Sequence, residues 1–208
     1  MSLLQSQVVD GKVSAKLLSD LIEHYNGVGE YQTSSMNKTS PVFIDRIQPF
    51  CEEALGRKLV FCSGNFYKHD KPYLPHTDYK PWEDNTINAV VPLWYEGDQA
   101  SLVVFDQWWE QNPVTWCLDL PLIHFEVNTG VKGYPCHYEL EELTGKECPS
   151  DLYKTYLSNH RDCCFFGLSG EAFAFEPGNI ILFDNRKVHC TSRFIGKKLG
   201  ISLRFRWA

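Results

Sequence analysis

Residues 171–207 place the tightest constraint on the fold. Four short runs, Glu171–Phe175, Ile180–Phe183, His189–Phe194 and Leu199–Trp207, are apolar, β-branched or aromatic. The clusters Pro177-Gly178-Asn179, Asp184-Asn185-Arg186 and Ile195-Gly196-Lys197 divide them. Runs of strand length broken by turn residues at such short intervals read as successive β-strands. The same signal occurs upstream, in Leu59–Cys62, Thr86–Tyr95 and Ala100–Gln107, the last two separated by Glu96-Gly97-Asp98. Thirteen Phe, ten Tyr and six Trp suit this β-rich packing.

The first sixty residues read differently. Leu17, Leu18, Leu21 and Ile22 fall on one helical face, with Ser14 as N-cap. Residues 26–40 read as a polar loop. Pro41 then opens a second amphipathic helix through Val42, Ile44, Ile47 and Phe50, with Gly56 as its stop and a break or kink expected at Pro49. Residues 110–165 scatter Pro, Gly and Cys and hold one helix-like piece, Ser150–Ser158. The expected organisation of the 208 residues is one domain: a helical buttress over 1–57 and a β core over 58–208, with an insertion at about 110–165.

Several function classes are disfavoured. A net charge of −6 does not suit a nucleic-acid surface, which needs clustered Lys and Arg. No apolar stretch approaches the roughly 18–20 residues of a membrane helix. The opening MSLLQSQVVDGK has no basic region followed by an apolar one, so a cytoplasmic protein is expected. No phosphate-binding Gly-rich loop or Gly-x-Ser-x-Gly elbow is present. Buried free thiols are the default for the eight cysteines. Cys136, Cys148, His160 and Cys163 offer a zinc alternative, but without a CxxC pair.

A mononuclear iron site needs two imidazoles and one carboxylate on one face of the metal. His-x-Asp/Glu at a strand end supplies two of them, because residues i and i+2 project to the same side. That pattern occurs at His76/Asp78, His124/Glu126, His137/Glu139 and His160/Asp162. His160 lies 29 residues before His189, too few for several strands of about 5–6 residues each with their turns. His137/Glu139 sits in a stretch without strand character. His124/Glu126 has room and remains a rival. His76/Asp78 follows an aromatic, extended lead-in (Asn65-Phe66-Tyr67 to Tyr73-Leu74-Pro75) and precedes two clear strands, which makes it the preferred pair.

Three segments together resemble the Fe(II)- and 2-oxoglutarate-dependent oxygenases: NFYKHDKPYLPHTD (65–78), NAVVPLWYEGDQASLVVFDQ (88–107) and FEPGNIILFDNRKVHCTSRFIGKKLGISLRFRW (175–207). The last is the most specific: a Pro-Gly turn, an apolar strand ending in Phe-Asp, a polar turn, then His-x-Thr. The resemblance implies a double-stranded β-helix (jelly-roll, cupin-like) core with N-terminal helices packed on one sheet. It implies His76, Asp78 and His189 as Fe(II) ligands and 2-oxoglutarate as cosubstrate. With O2, oxidative decarboxylation to succinate would drive hydroxylation of a C–H bond on a protein, peptide or small-molecule substrate.

The prolyl-hydroxylase-like branch is the nearest. Lys198, nine residues past His189, and Ser202, four beyond it, stand where that branch places its 2-oxoglutarate anchor and a hydroxyl. Tyr67, nine residues before His76, matches its tyrosine. Strand alternation puts Lys198, Ser202 and Arg204 on one face. Arg204, with its bidentate geometry, is the alternative anchor, and Arg193 lies too near the iron end. Read blandly, Lys198 and Arg204 are charges on an edge strand. Asp78 disfavours the halide-binding variant of the family. Two other classes stay open: a non-catalytic metal-binding β-barrel and a zinc-stabilised interaction protein.

Overall fold

The computed structural model describes residues 4–28, 41–70, 76–78, 86–108 and 170–208. Helix α1 spans Ala15–Val28 and α2 spans Pro41–Leu55. Ser14 caps α1: its hydroxyl accepts the Leu17 amide at 3.2 Å. Gly56, at φ 63°, ends α2 in a left-handed turn that an L side chain would strain. There the Gly56 amide reaches Glu53 O and the Arg57 amide reaches Glu52 O, which satisfies two orphan carbonyls.

The described residues form eight strands: β1 Gln7–Val9, β2 Leu59–His69, β3 Thr86–Gly97, β4 Ser101–Trp108, β5 Gly170–Ala174, β6 Ile180–Asp184, β7 Lys187–Thr191 and β8 Gly196–Trp207. They form two antiparallel sheets, one of order β1-β6-β3-β8-β2 and one of order β5-β4-β7. The chain is therefore mainly β with N-terminal helices. Among the described residues no helix is long and apolar enough to cross a membrane.

Alternation along the strands sorts the core into two layers. Leu199, Ile201, Leu203 and Phe205 of β8 pack with Leu17 and Leu21 of α1 and Ile44 and Ile47 of α2. Val90, Ile181 and Phe183 turn the other way, toward Leu102 and Val104 of the small sheet. The large sheet thus has helices on one face and the small sheet on the other, so β3 is buried continuously from Thr86 to Leu93. Each fully buried Leu, Ile or Phe contributes roughly 1.5–3 kcal/mol.

Some expectations need correction. The N-terminal region is not wholly helical: Gln7–Val9 pairs with β6 as an edge strand, a segment too short to show a period. Residues 26–28 belong to α1 rather than to a loop. α2 is not broken at Pro49. Full burial of Ile47 and Cys51 on either side outweighs the proline's cost of about 3 kcal/mol. β2 joins Leu59–Cys62 and Asn65-Phe66-Tyr67 into one strand, and β7 begins at Lys187 and ends at Thr191. Arg193 lies beyond β7 and is exposed. β8 lies between β3 and β2, so Lys198 and Arg204 are not on an edge strand. The proposed insertion, 110–165, falls outside the described residues.

Candidate metal centre

His189 sits on β7, two residues into a strand held by β4. His76 comes from a separate segment and joins β7 by an isolated antiparallel bridge. The His76 amide donates to His189 O, and the His189 amide donates to His76 O, both at 2.9 Å. Asp78 follows two residues later. His76 Nε2 lies 3.7 Å from Asp78 Oδ1, and His189 Nε2 lies 3.5 Å from Asp78 Oδ2. One ligand atom from each of the three residues lies within 4.8 Å of the others, so the trio could hold a metal ion.

The electrostatics suit a cation. His189 Nδ1 is 3.1 Å from the Lys187 carbonyl, which can only accept. Nδ1 therefore carries a proton, and Nε2 is the ring atom that turns to the trio. The Phe183 ring packs on His189 at 4.7 Å and fixes the imidazole plane. Burial alone would raise the Asp78 carboxyl. The hydrogen bond and charge of His189, with the charges of His76 and Arg204, outweigh it and hold the group well below the usual carboxylate range.

A cavity of about 340 Å³ runs from this trio between the sheets. Lys198 enters it from β8, only 2% exposed. Its ammonium donates to Thr191 Oγ1 at 2.9 Å and faces the rings of Phe175 at 4.6 Å and of Tyr67 and Phe194 at 5.7 Å. Burial pulls its pKa down to about 7, partly offset by Cys190. Among the described residues no carboxylate pairs with it within 4.0 Å. Thr191 is two residues from His189 on the same strand face, about 6.6 Å along β7. The buried cation therefore stands a short molecule's length from the ligand trio.

Tyr67, Ser202 and Arg204 also line the cavity. Tyr67 is the register partner of Gly200 and lies over it so closely that a Cβ there would meet the phenol. Burial pushes the Tyr67 hydroxyl well above its ordinary pKa, so it stays protonated and can donate. Arg204 is six residues along β8 from Lys198, about 20 Å of strand, and its charge acts on Asp78. The two cations thus serve different ends of the cavity.

Three contributors were not singled out as site residues from sequence. His69 lies two residues past Tyr67 on the same strand face, its ring 5.1 Å away. Burial and the Lys198 charge draw its pKa down to about 4, so it is neutral at pH 7. Asn88, a polar residue inside an otherwise apolar run, donates from Nδ2 to Asp78 Oδ2 at 3.2 Å. Thr191 belongs to the His-x-Thr motif and holds Lys198. Parity along the strands was the available signal for the first two. Cys51, Cys62 and Cys190 are free thiols. His124/Glu126, His137/Glu139, His160/Asp162, Tyr73 and the zinc alternative Cys136, Cys148, His160 and Cys163 lie outside the described residues.

No protein-family model matches the sequence, and no curated protein matches it. Solved structures match in fold. The non-heme alpha-ketoglutarate-dependent epimerase SnoN from nogalamycin biosynthesis is 12% identical, with a TM-score of 0.58 over 98% of this chain and 78% of its own. HygX from Streptomyces hygroscopicus, with nickel and 2-oxoglutarate bound, is 13% identical at 0.54, over 98% and 82%. EctD from S. alaskensis, with 2-oxoglutarate and 5-hydroxyectoine, is 16% identical at 0.51, over 97% and 72%. At these identities the likeness is one of fold.

Proposed function

We propose that this chain is an Fe(II)- and 2-oxoglutarate-dependent dioxygenase. Its domain is read as a double-stranded β-helix core over residues 58–208, with an insertion at about 110–165 and the N-terminal residues as a buttress. The observation that carries the reading is one cavity holding two imidazoles and a carboxylate at one end and, a few ångströms on, a buried ammonium with no carboxylate partner among the described residues. Burying an unpaired charge is costly, and an anionic ligand would offset that cost. A molecule that chelates a metal with a 2-oxo acid and presents a second carboxylate fits both ends. The folds of SnoN, HygX and EctD, solved with these groups, support the same assignment.

In this reading His76, Asp78 and His189 hold Fe(II) on one face. Lys198, rather than Arg204, pairs with the far carboxylate of 2-oxoglutarate, with Tyr67 and Ser202 as hydroxyl donors. The spacing of these three residues supports the prolyl-hydroxylase-like branch. When bound, iron and 2-oxoglutarate supply the oxidative chemistry: with O2 the cosubstrate yields CO2 and succinate, and one oxygen atom enters a substrate C–H bond as a hydroxyl. The substrate is a peptide or a small molecule, and the small molecules bound to SnoN and EctD support the latter.

Anaerobic titration of metal-free protein with Fe(II) and 2-oxoglutarate tests this. A visible charge-transfer band is expected in wild type, absent in His76→Ala and needing more 2-oxoglutarate in Lys198→Ala. Admission of O2 should then yield succinate. No band, with zinc found by metal analysis, would overturn the reading. Metal binding without succinate would leave a non-catalytic barrel.

A further inference from the structure

Asn88 lies on β3, only 1% exposed, on the side that Val90 also presents to the small sheet. Its neighbours Ile87, Ala89 and Val91 turn to the helices. The Asn88 Nδ2 donates to Asp78 Oδ2 at 3.2 Å. Because a carboxylate only accepts, this contact fixes which way the amide faces. The other end of the amide, Oδ1, is buried and has no hydrogen-bond partner among the described residues.

A buried acceptor left unmade weakens the folded state, and an apolar residue of the same shape would not carry that penalty. The sequence nevertheless keeps a polar residue inside the run Thr86–Leu93, at a position whose side chain hydrogen-bonds a residue of the ligand trio. The His contacts to Asp78 divide between its oxygens: His76 Nε2 is nearer Oδ1, and His189 Nε2 is nearer Oδ2. Of the two oxygens, Asn88 donates to Oδ2, which also faces His189 Nε2. An oxygen engaged by an amide donor is the poorer metal ligand, which leaves Oδ1.

We propose that Asn88 is a positioning residue for the metal centre. Its amide holds Asp78 Oδ2, presents Oδ1 to the metal, and prevents the carboxylate from chelating through both oxygens. The coordination positions that a second oxygen would fill stay open. The unmade Oδ1 of Asn88, buried behind the cavity lining, suits a donor as small as a water molecule. This inference rests on the metal-centre reading above.

The test uses Asn88→Leu in the full chain, since leucine keeps the shape and removes both the donor and the unmade acceptor. Thermal unfolding of the metal-free variant should be unchanged or shifted upward. Its affinity for Co(II), measured by calorimetry, should fall by roughly 10–100-fold, as for other outer partners of metal ligands. The visible spectrum of the Co(II) form should change as the carboxylate swings. If Asn88→Leu does not fold, Asn88→Ala carries the same measurements. Co(II) bound as tightly as by wild type, with an unaltered spectrum, would overturn the proposal and leave the metal centre standing. Loss of metal-free stability with unchanged affinity would make Asn88 merely structural. No Co(II) binding by wild type would overturn both readings.

Discussion

His76 and His189 exchange both of their backbone hydrogen bonds, N to O at 2.9 Å in each direction, although 113 residues separate them. In an antiparallel ladder this is the hydrogen-bonded pair, with Cα atoms about 5.5 Å apart and side chains on the same side. The two imidazoles consequently face each other with ring centroids 4.2 Å apart. Backbone, not side chain, docks the 76–78 segment onto β7.

His76→Ala should therefore separate folding from metal binding. Both bridge bonds survive the substitution, and the lost imidazole is partly exposed, so thermal unfolding of the metal-free protein should shift little. Metal affinity should fall by more than the roughly 100-fold typical of an outer partner, because a ligand itself is gone. Calorimetric titration with Co(II) beside a melting curve checks both halves. A variant that unfolds as readily as it loses metal would show that the imidazole, not the bridge, holds the segment.

The pH dependence has a definite sign. Burial depresses Lys198 to about 7 from 10.5, so between those values the unfolded chain binds the proton that the folded chain has lost. Stability of the ligand-free protein should rise as pH increases through that window. His69, drawn down to about 4 from 6.5, adds the same sign across a lower one. Lys198→Met should flatten the upper window in urea-unfolding measurements. Under the proposed anchoring, 2-oxoglutarate affinity should instead decline above about pH 7, as the ammonium empties.

Gly200 separates cosubstrate binding from metal binding. A Cβ at this position would meet Tyr67 Oη and its ring, so Gly200→Ala must push the phenol off β8. Such overpacking costs typically 1–3 kcal/mol. If Tyr67 touches the cosubstrate, 2-oxoglutarate affinity should fall by about tenfold, at 1.4 kcal/mol per factor of ten, with Co(II) affinity unchanged. Tyr67→Phe should lose a similar amount through the missing hydroxyl. An unaffected 2-oxoglutarate titration in both variants would remove Tyr67 from the site.

Much of this arrangement was legible in the chain because it depends on period two. Ile180–Asp184 and Leu199–Trp207 announce strands by composition, and alternation in β8 puts Lys198, Ser202 and Arg204 on one face. Ser14 and Gly56 mark helix ends by local chemistry, which does not depend on tertiary context. What local pattern cannot carry is pairing between distant segments. β1 is three residues long and exists only because β6 offers it an edge. The central position of β8 likewise follows from which strands pair, and it turns two apparent surface charges into cavity residues. The roles of His69 and Asn88 are not local either, because they come from neighbours across the sheet: Lys198 opposite one and Arg204 opposite the other.

Thr191 discriminates between the two candidate anchors. Its hydroxyl, on a residue 4% exposed, accepts from Lys198 Nζ at 2.9 Å and holds the ammonium in the cavity. Thr191→Val keeps the shape and removes the acceptor. A hydrogen bond to a charged group is worth about 1.5–3 kcal/mol, and without it the buried ammonium loses its proton more readily. If Lys198 is the anchor, 2-oxoglutarate affinity should fall by at least about tenfold in Thr191→Val. The pH at which affinity declines should move below that of wild type, and Thr191→Ser should restore both. Arg204 lines the same cavity about 20 Å along β8, and its charge acts on Asp78. A Thr191→Val enzyme with wild-type affinity and pH profile, beside an Arg204→Met enzyme that has lost 2-oxoglutarate, would transfer the anchor to Arg204.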